Sequence, residues 1–361
     1  MLLMLVDHTR EFFYFDHQVG DPMDVATTSP ALFFSRLGAH LCAPVFVLLT
    51  GLAAWLYGAG RGGAPAASAF LFKRGLFLVL LEWTVVNFAW TFDPTPALIY
   101  LQVIWVIGLS MIALAALVHV PRRILVAIGL TLVLGHNLLD GITIPAGQPG
   151  HDVWAILHDR GFIDLPWGAR ARTSYPLLPW IGVIALGYAM GPWFGRGADP
   201  ILRRRWLSVG GVGALILFVL LRALNDYGDP QPWQAGGDPL HALMGFVNVT
   251  KYPPSADFLL LTLGIGSLLL AALEGGARRI AAILSIFGSA PLFFYLLHLY
   301  MLHAANRVAG LITGHGDGLV SVPAVSHMWL IAAVVAIPCW FACRTFAAAK
   351  RRSDARWMRY L

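Results

Sequence analysis

Residues 41–60, LCAPVFVLLTGLAAWLYGAG, run for twenty positions without a charged side chain. At about 1.5 Å per residue such a helix spans about 30 Å, the thickness of a bilayer's hydrocarbon core. Comparable apolar runs recur along the whole chain. The 361 residues are 58% hydrophobic and 12% charged, against roughly 25% charged in an ordinary soluble domain. Mean hydropathy is +0.69. The fold class that follows is all-α, a polytopic integral membrane helix bundle.

Ten spans are expected, near 1–16, 30–58, 70–92, 97–118, 123–139, 173–195, 206–226, 254–274, 282–305 and 325–345. The first has only six apolar residues before Asp7 and reads as a truncated helix. The stretch Asp152–His158 is too short and polar to cross and is expected to form a loop helix. No internal repeat divides the chain, so residues 1–361 are read as one transmembrane domain.

A net charge of +6 would suit nucleic acid if it were clustered. Instead 17 of the 25 Lys and Arg residues fall after even-numbered spans or in the C-terminal tail, among them Arg61, Arg122, Arg203, Arg278 and Arg356. By the positive-inside rule those ends and the C-terminus are cytoplasmic. The basic balance is a topology signal, and no nucleic-acid partner is expected.

With that topology, polar residues from many spans share the outer layer: Asp7, His8, His17, Arg36, His40, Gln102, His136, Asn137, Lys251, Tyr252, Tyr295 and His298. Ionisable groups inside a membrane are expensive and functional by default, so this layer argues for an outward-facing polar cavity. Plainer readings stand beside it. Tyr295 and His298 share a helix face at i, i+3, and one interhelical hydrogen bond would account for both. Gln102 could serve equally as interhelical glue. Arg36 reads as an interfacial anchor, with His40 four residues on.

Glu82, a lone acid in FLVLLEWTVV (77–86), needs a cation, a hydrogen-bonding pocket or protonation. It also motivates the rival reading, a proton- or ion-coupled transporter using Glu82 and the outer His/Asp cluster. Cys42, Cys339 and Cys343 read as small packing residues, and Gly187 and Gly191 as a helix-packing GxxxG. Asn248-Val249-Thr250 fits a glycosylation sequon, a weak signal. His315 falls in an outer loop. No Walker, GxSxG, HExxH or dinucleotide fingerprint occurs, and no metal is expected.

Several segments taken together carry a resemblance. They are VDHTREFFYFDH (6–17), SRLGAHLCAPVFVLLTGLAAW (35–55), LQVIWVIGLSMIALA (101–115), GHNLLD (135–140), YPLLPWIGVIALGYAMG (175–191) and FGSAPLFFYLLHLYMLH (287–303). They resemble the bacterial relatives of heparan-alpha-glucosaminide N-acetyltransferase, within a wider transmembrane acyltransferase superfamily. The resemblance implies transfer of an acetyl or other acyl group from cytoplasmic acyl-CoA to an extracytoplasmic acceptor. That acceptor would be a sugar amine or hydroxyl of a glycan, and the location a bacterial inner membrane. The bilayer, acyl-CoA and the acceptor are the implied partners, and the sequence is compatible with a homo-oligomer.

The resemblance also implies a catalytic histidine on the first helix, with two matches. Tyr14-Phe15-Asp16-His17 resembles the family's aromatic context and points to His17. The superfamily's position at the end of an apolar run points to His8, with Asp7 adjoining it. Histidine can act as a general base toward an amine or hydroxyl attacking a thioester, or can itself take the acyl group. Asp7 could orient the ring, but helix neighbours point about 100° apart, so it is equally a candidate to hold acceptor or another helix. Gln102, Asn137, Tyr295 and His298 are candidates for hydrogen bonds to the oxyanion or acceptor. His136, Arg36, His40, Lys251 and Tyr252 are grouped with them as acceptor-binding candidates.

Overall fold

A computed structural model of the chain describes residues 1–234, 236–275, 278–314 and 319–353. His315 and Arg356 lie outside the described residues, as does the side chain of Arg278. The described chain is mostly helical, with one small three-stranded sheet that the all-α reading did not anticipate.

Against the ten spans expected, five helices among the described residues are long and apolar enough to cross a membrane: Pro30–Ala59, Arg122–Leu139, Pro200–Leu224, Ala256–Glu274 and Val325–Arg352. A sixth candidate is the pair Ala281–Gly288 and Pro291–Ile312, bent by 81° at the break. Pro291 explains the break: it has no N–H to continue a helix from Gly288, yet is preorganised to begin the next one. Val103–Leu117 and Leu177–Ala189 are apolar but shorter. The Pro200–Leu224 helix leaves Val209, Val212, Ile216, Val219 and Leu220 between 47% and 56% exposed. A row of bare aliphatic side chains suits lipid and would be a liability in water.

The chain divides into two compact units. The first comprises Met1–Cys42, Phe88–Phe92 and Gly276–Leu361. In it the Leu2–Phe13 helix packs against Pro30–His40, Pro291–Ile312 and Val325–Arg352. Met4, Leu5, Val6, Phe12 and Phe13 are buried there.

The second unit comprises Ala43–Asn87 and Asp93–Gly275. Its helices associate in pairs: Ala64–Leu81 with Val103–Leu117, Arg122–Gly135 with Leu177–Ala189, and Pro200–Leu224 with Ala256–Gly275. Each pair meets at facing glycines, Gly75 with Gly108, Gly129 with Gly182 and Gly211 with Gly264. A methyl group added at Gly75 would stand 2.6 Å from the Gly108 carbonyl oxygen. Small residues let backbones touch where lipid offers no hydrophobic drive. Gly187 obeys the same rule against the Leu48 backbone, whereas Gly191, just past the helix end, makes room for the Trp55 side chain.

The sheet also belongs to this unit. Arg170–Thr173 is its central strand, parallel to Leu98–Leu101 and antiparallel to Phe162–Asp164. Leu98–Leu101 lies inside the expected 97–118 span, because a short apolar run does not distinguish strand from helix. The loop helix expected over Asp152–His158 is present as His151–Leu157.

Candidate functional site

In the first unit the Leu2–Phe13 helix presents His8 toward Pro291–Ile312. Nδ1 of His8 lies 2.6 Å from Nε2 of His298, and the ring planes are within 7° of each other. Nδ1 of His298 lies 2.6 Å from the Phe294 carbonyl oxygen. A carbonyl can only accept, so that nitrogen carries the proton. In the neutral pair, Nε2 of His298 is then the acceptor and Nδ1 of His8 the donor. The chain of hydrogen bonds thereby leaves the basic lone pair of His8 on Nε2.

Tyr295, 3% exposed, sets its ring edgewise to both imidazoles, with centroids 5.8 Å from each. The rings of Trp90 and His8 meet edge to face at 5.0 Å, and Trp90 stacks on Phe12 at 5.3 Å. A further histidine, His303, stacks on Phe92 at 3.7 Å and donates from Nδ1 to the Ala89 carbonyl.

Asp7 turns away from the His8 ring, as neighbours on a helix do. It pairs with Arg36 and, at 3.4 Å, with Arg10. Arg36 also pairs with Asp21, whose Oδ1 lies 2.7 Å from Nε2 of His40. Arg36 is 5% exposed, so it is the centre of a buried ion network rather than the interfacial anchor expected. His17 is exposed and stacks on Tyr14 at 4.3 Å.

The second unit holds the other candidates. Glu82 accepts hydrogen bonds from the backbone N–H of Gln102, at 3.4 Å, and of Trp105, at 3.0 Å. Those groups open the Val103–Leu117 helix, so the buried acid caps a helix N-terminus, where negative charge is favoured. Gln102 thus contributes its backbone to this contact.

Around the start of the Ala256–Gly275 helix, Nε2 of His136 lies 2.7 Å from the Pro254 carbonyl, and Asn137 accepts from the Ala256 N–H at 2.8 Å. Asn137 also donates to Asp140. His158 lies 3.3 Å from Asp140 and 3.0 Å from Asp159. Burial lowers the His158 pKa, but hydrogen bonds to both carboxylates outweigh it and bring it up to about 9. For Asp140 burial acts upward, and His158 and Asn137 leave it below the ordinary value.

Lys251, 3% exposed, places its ammonium 5.1 Å from the Tyr252 ring, and the Tyr252 hydroxyl meets that of Tyr175 at 3.3 Å. Asn248 is 7% exposed, its carbonyl bonded by Arg222, a buried setting for a sequon. A cavity of about 310 Å³ is lined by Trp55, Gly63, Val118, Arg122, Tyr188 and Pro192.

The structure therefore gathers His8, Tyr295 and His298, and separately links Asp7, Arg36 and His40. A family model described as heparan-alpha-glucosaminide N-acetyltransferase, catalytic, matches residues 1–224. The chain belongs to this family. The matched part contains His8 and His17, whereas Tyr295 and His298 fall beyond it. No curated protein matches the chain, and no solved structure does. Family membership together with the apolar helices makes it a multi-pass membrane transferase of the acetyltransferase type.

Sequence reasoning missed Trp90, Asp21 and His158. Trp90 and Asp21 have no periodic signal, since their partners come from distant segments. His158 was placed in an outer loop, and its charge depends on carboxylates brought up by the fold.

Proposed function

We propose that the protein moves an acetyl or other acyl group from cytoplasmic acyl-CoA to an amine or hydroxyl of an extracytoplasmic glycan, with His8 as general base. One observation supports this reading above the others: the Phe294–His298–His8 hydrogen-bond chain, which in the neutral pair leaves Nε2 of His8 as the basic atom. Imidazole, with an ordinary pKa of about 6.5, suits that role near neutral pH.

Nε2 takes the proton from the acceptor's N–H or O–H as its heteroatom bonds to the thioester carbonyl carbon. The C–S bond breaks, and the imidazolium returns its proton to the departing thiolate, giving CoA and the acylated acceptor. Tyr295 borders the reacting histidine. Asp7, Arg36 and His40 hold the segment around it through their ion network. In the proposed topology the basic ends face the cytoplasm, where acyl-CoA would be supplied. The C-terminus would lie on that same side of a bacterial inner membrane.

The transporter reading draws less support, because Glu82 is engaged as a helix cap. The test is incubation of membranes with radiolabelled acetyl-CoA and a glucosamine-terminated acceptor. Wild type and His17→Ala should transfer label, and His8→Ala should lose roughly 10²- to 10⁴-fold. Absence of transfer by wild type would refute the enzyme reading, and a loss confined to His17→Ala would move the base to His17.

A further inference from the structure

Trp90 is engaged at both faces of its environment but not at its polar atom. Its ring lies within 12° of parallel to Phe12 and meets His8 edge to face at 77°. Yet its indole Nε1, a buried atom, has no hydrogen-bond partner among the described residues. A buried donor left unmade costs about 1–3 kcal/mol, and tryptophan N–H groups usually find an acceptor when buried. The indole can only donate, so what it lacks is an acceptor atom.

The backbone beside it is also held in an unusual state. Phe92 has φ of 51°, a left-handed conformation uncommon outside glycine, while its ring stacks on His303. Such positions cost about 1–3 kcal/mol and cluster at functional sites. Strain and an unmet donor thus occur together on the segment facing the proposed base.

We infer that Trp90 contacts substrate, its indole N–H donating a hydrogen bond to the carbonyl oxygen of the acyl group transferred at His8. This rests on the acyl-transfer reading above. As the acceptor heteroatom bonds to the carbonyl carbon, the C=O electron pair moves onto oxygen. It returns when the C–S bond breaks and the thiolate leaves. A donor fixed in a dry site before the reaction stabilises that transient oxyanion without reorganising. Trp90 would then be a catalytic residue, because it touches the reacting group.

The test uses the full-length protein in nanodiscs, with acetyl-CoA as donor and a glucosamine-terminated acceptor. Trp90→Phe keeps a ring against Phe12 and removes the N–H. The expected result is a fall in kcat of roughly 10²- to 10³-fold, little change in KM for acetyl-CoA, and an unlowered thermal midpoint. The deleted donor bonds no described residue, so any fall in the midpoint reports the lost ring carbons packed on Phe12 and His8. Trp90→His, which restores an N–H, should recover part of the rate. Wild-type kcat in Trp90→Phe, with His8→Ala inactive, overturns the Trp90 assignment alone. So does a fall in kcat matched by a lowered midpoint, which would mark a packing role. A wild-type protein that transfers no acetyl group overturns this inference together with the acyl-transfer reading.

Discussion

His8 and His298, 290 positions apart in the chain, share a hydrogen bond of 2.6 Å that, with both rings neutral, leaves Nε2 of His8 as its basic nitrogen. His298 is fully buried and bonded at both ring nitrogens, so in the proposed reaction it is a positioning residue. Removing it should leave His8 in place but free to adopt the wrong tautomer. His298→Ala is expected to lower acetyl transfer by roughly 10²-fold or more. His298→Gln, whose amide oxygen can accept from Nδ1 of His8, should recover part of it. The pH–rate profile of His298→Glu should move to higher pH, since a carboxylate beside His8 favours the imidazolium. An unshifted profile in that variant would detach His298 from the base.

The Asp7–Arg36–Asp21–His40 network makes a stability prediction. Arg36 has 5% side-chain exposure and Asp21 2%. Arg36→Leu takes one partner from each of two carboxylates, Asp7 and Asp21, and breaking a buried pair from one side costs about 3–5 kcal/mol. The expected outcome is a clearly lowered thermal midpoint in detergent. Asp16→Asn, at an exposed position nearby, should leave the midpoint unchanged.

Glu82 separates capping from transport. Glu82→Ala removes the acceptor for the Gln102 and Trp105 N–H groups, and loss of an N-terminal cap costs about 0.5–2 kcal/mol. Glu82→Gln keeps an acceptor oxygen and should be milder. Acetyl transfer per folded molecule should be near wild type in both. Thermal midpoints and specific activities measured on the same preparations check this. Proton-coupled solute uptake that disappears in Glu82→Gln would revive the transporter.

Stability should depend on pH through the loop that carries His158 and Asp140. The His158 pKa is raised in the fold to about 9, above the ordinary value of about 6.5. Its contribution is therefore fully present below about 6.5 and lost as pH rises through about 9. The Asp140 pKa is depressed, so its share is present above the ordinary carboxylate value and fades as pH falls through the lowered one. Thermal midpoints from acid to pH 10 should show a plateau falling at both ends, and His158→Gln should flatten the alkaline fall. An alkaline limb that persists in His158→Gln would assign it to another group.

Much of the architecture was legible in the sequence because burial in lipid imposes its own pattern. Apolar runs gave helices, and the i, i+3 spacing of Tyr295 and His298 placed both on one face, where they meet His8. The ten-span count ran ahead of the helices that qualify, because an apolar run can hold a strand at Leu98–Leu101 or break at Pro291 without changing composition. Arg36 and His40 were visible as an i, i+4 pair, but their common partner Asp21 sits in a loop with no pattern. Glu82 stood out as an expensive residue, and only folding supplied the N–H groups that receive it.

The sequence by itself determined a membrane-embedded helical chain, its charge asymmetry and its family, since those depend on residue type and order. The tertiary structure decided which histidine faces which. A hydrogen bond from His8 to His298 closes a loop of nearly the whole chain, and periodicity carries no information across such a distance. It also decided that Glu82 is a cap, that Arg36 is the hub of an ion network, and that the Trp90 N–H remains unmet by any described residue. Each of these is set by groups that only packing brings within hydrogen-bond reach.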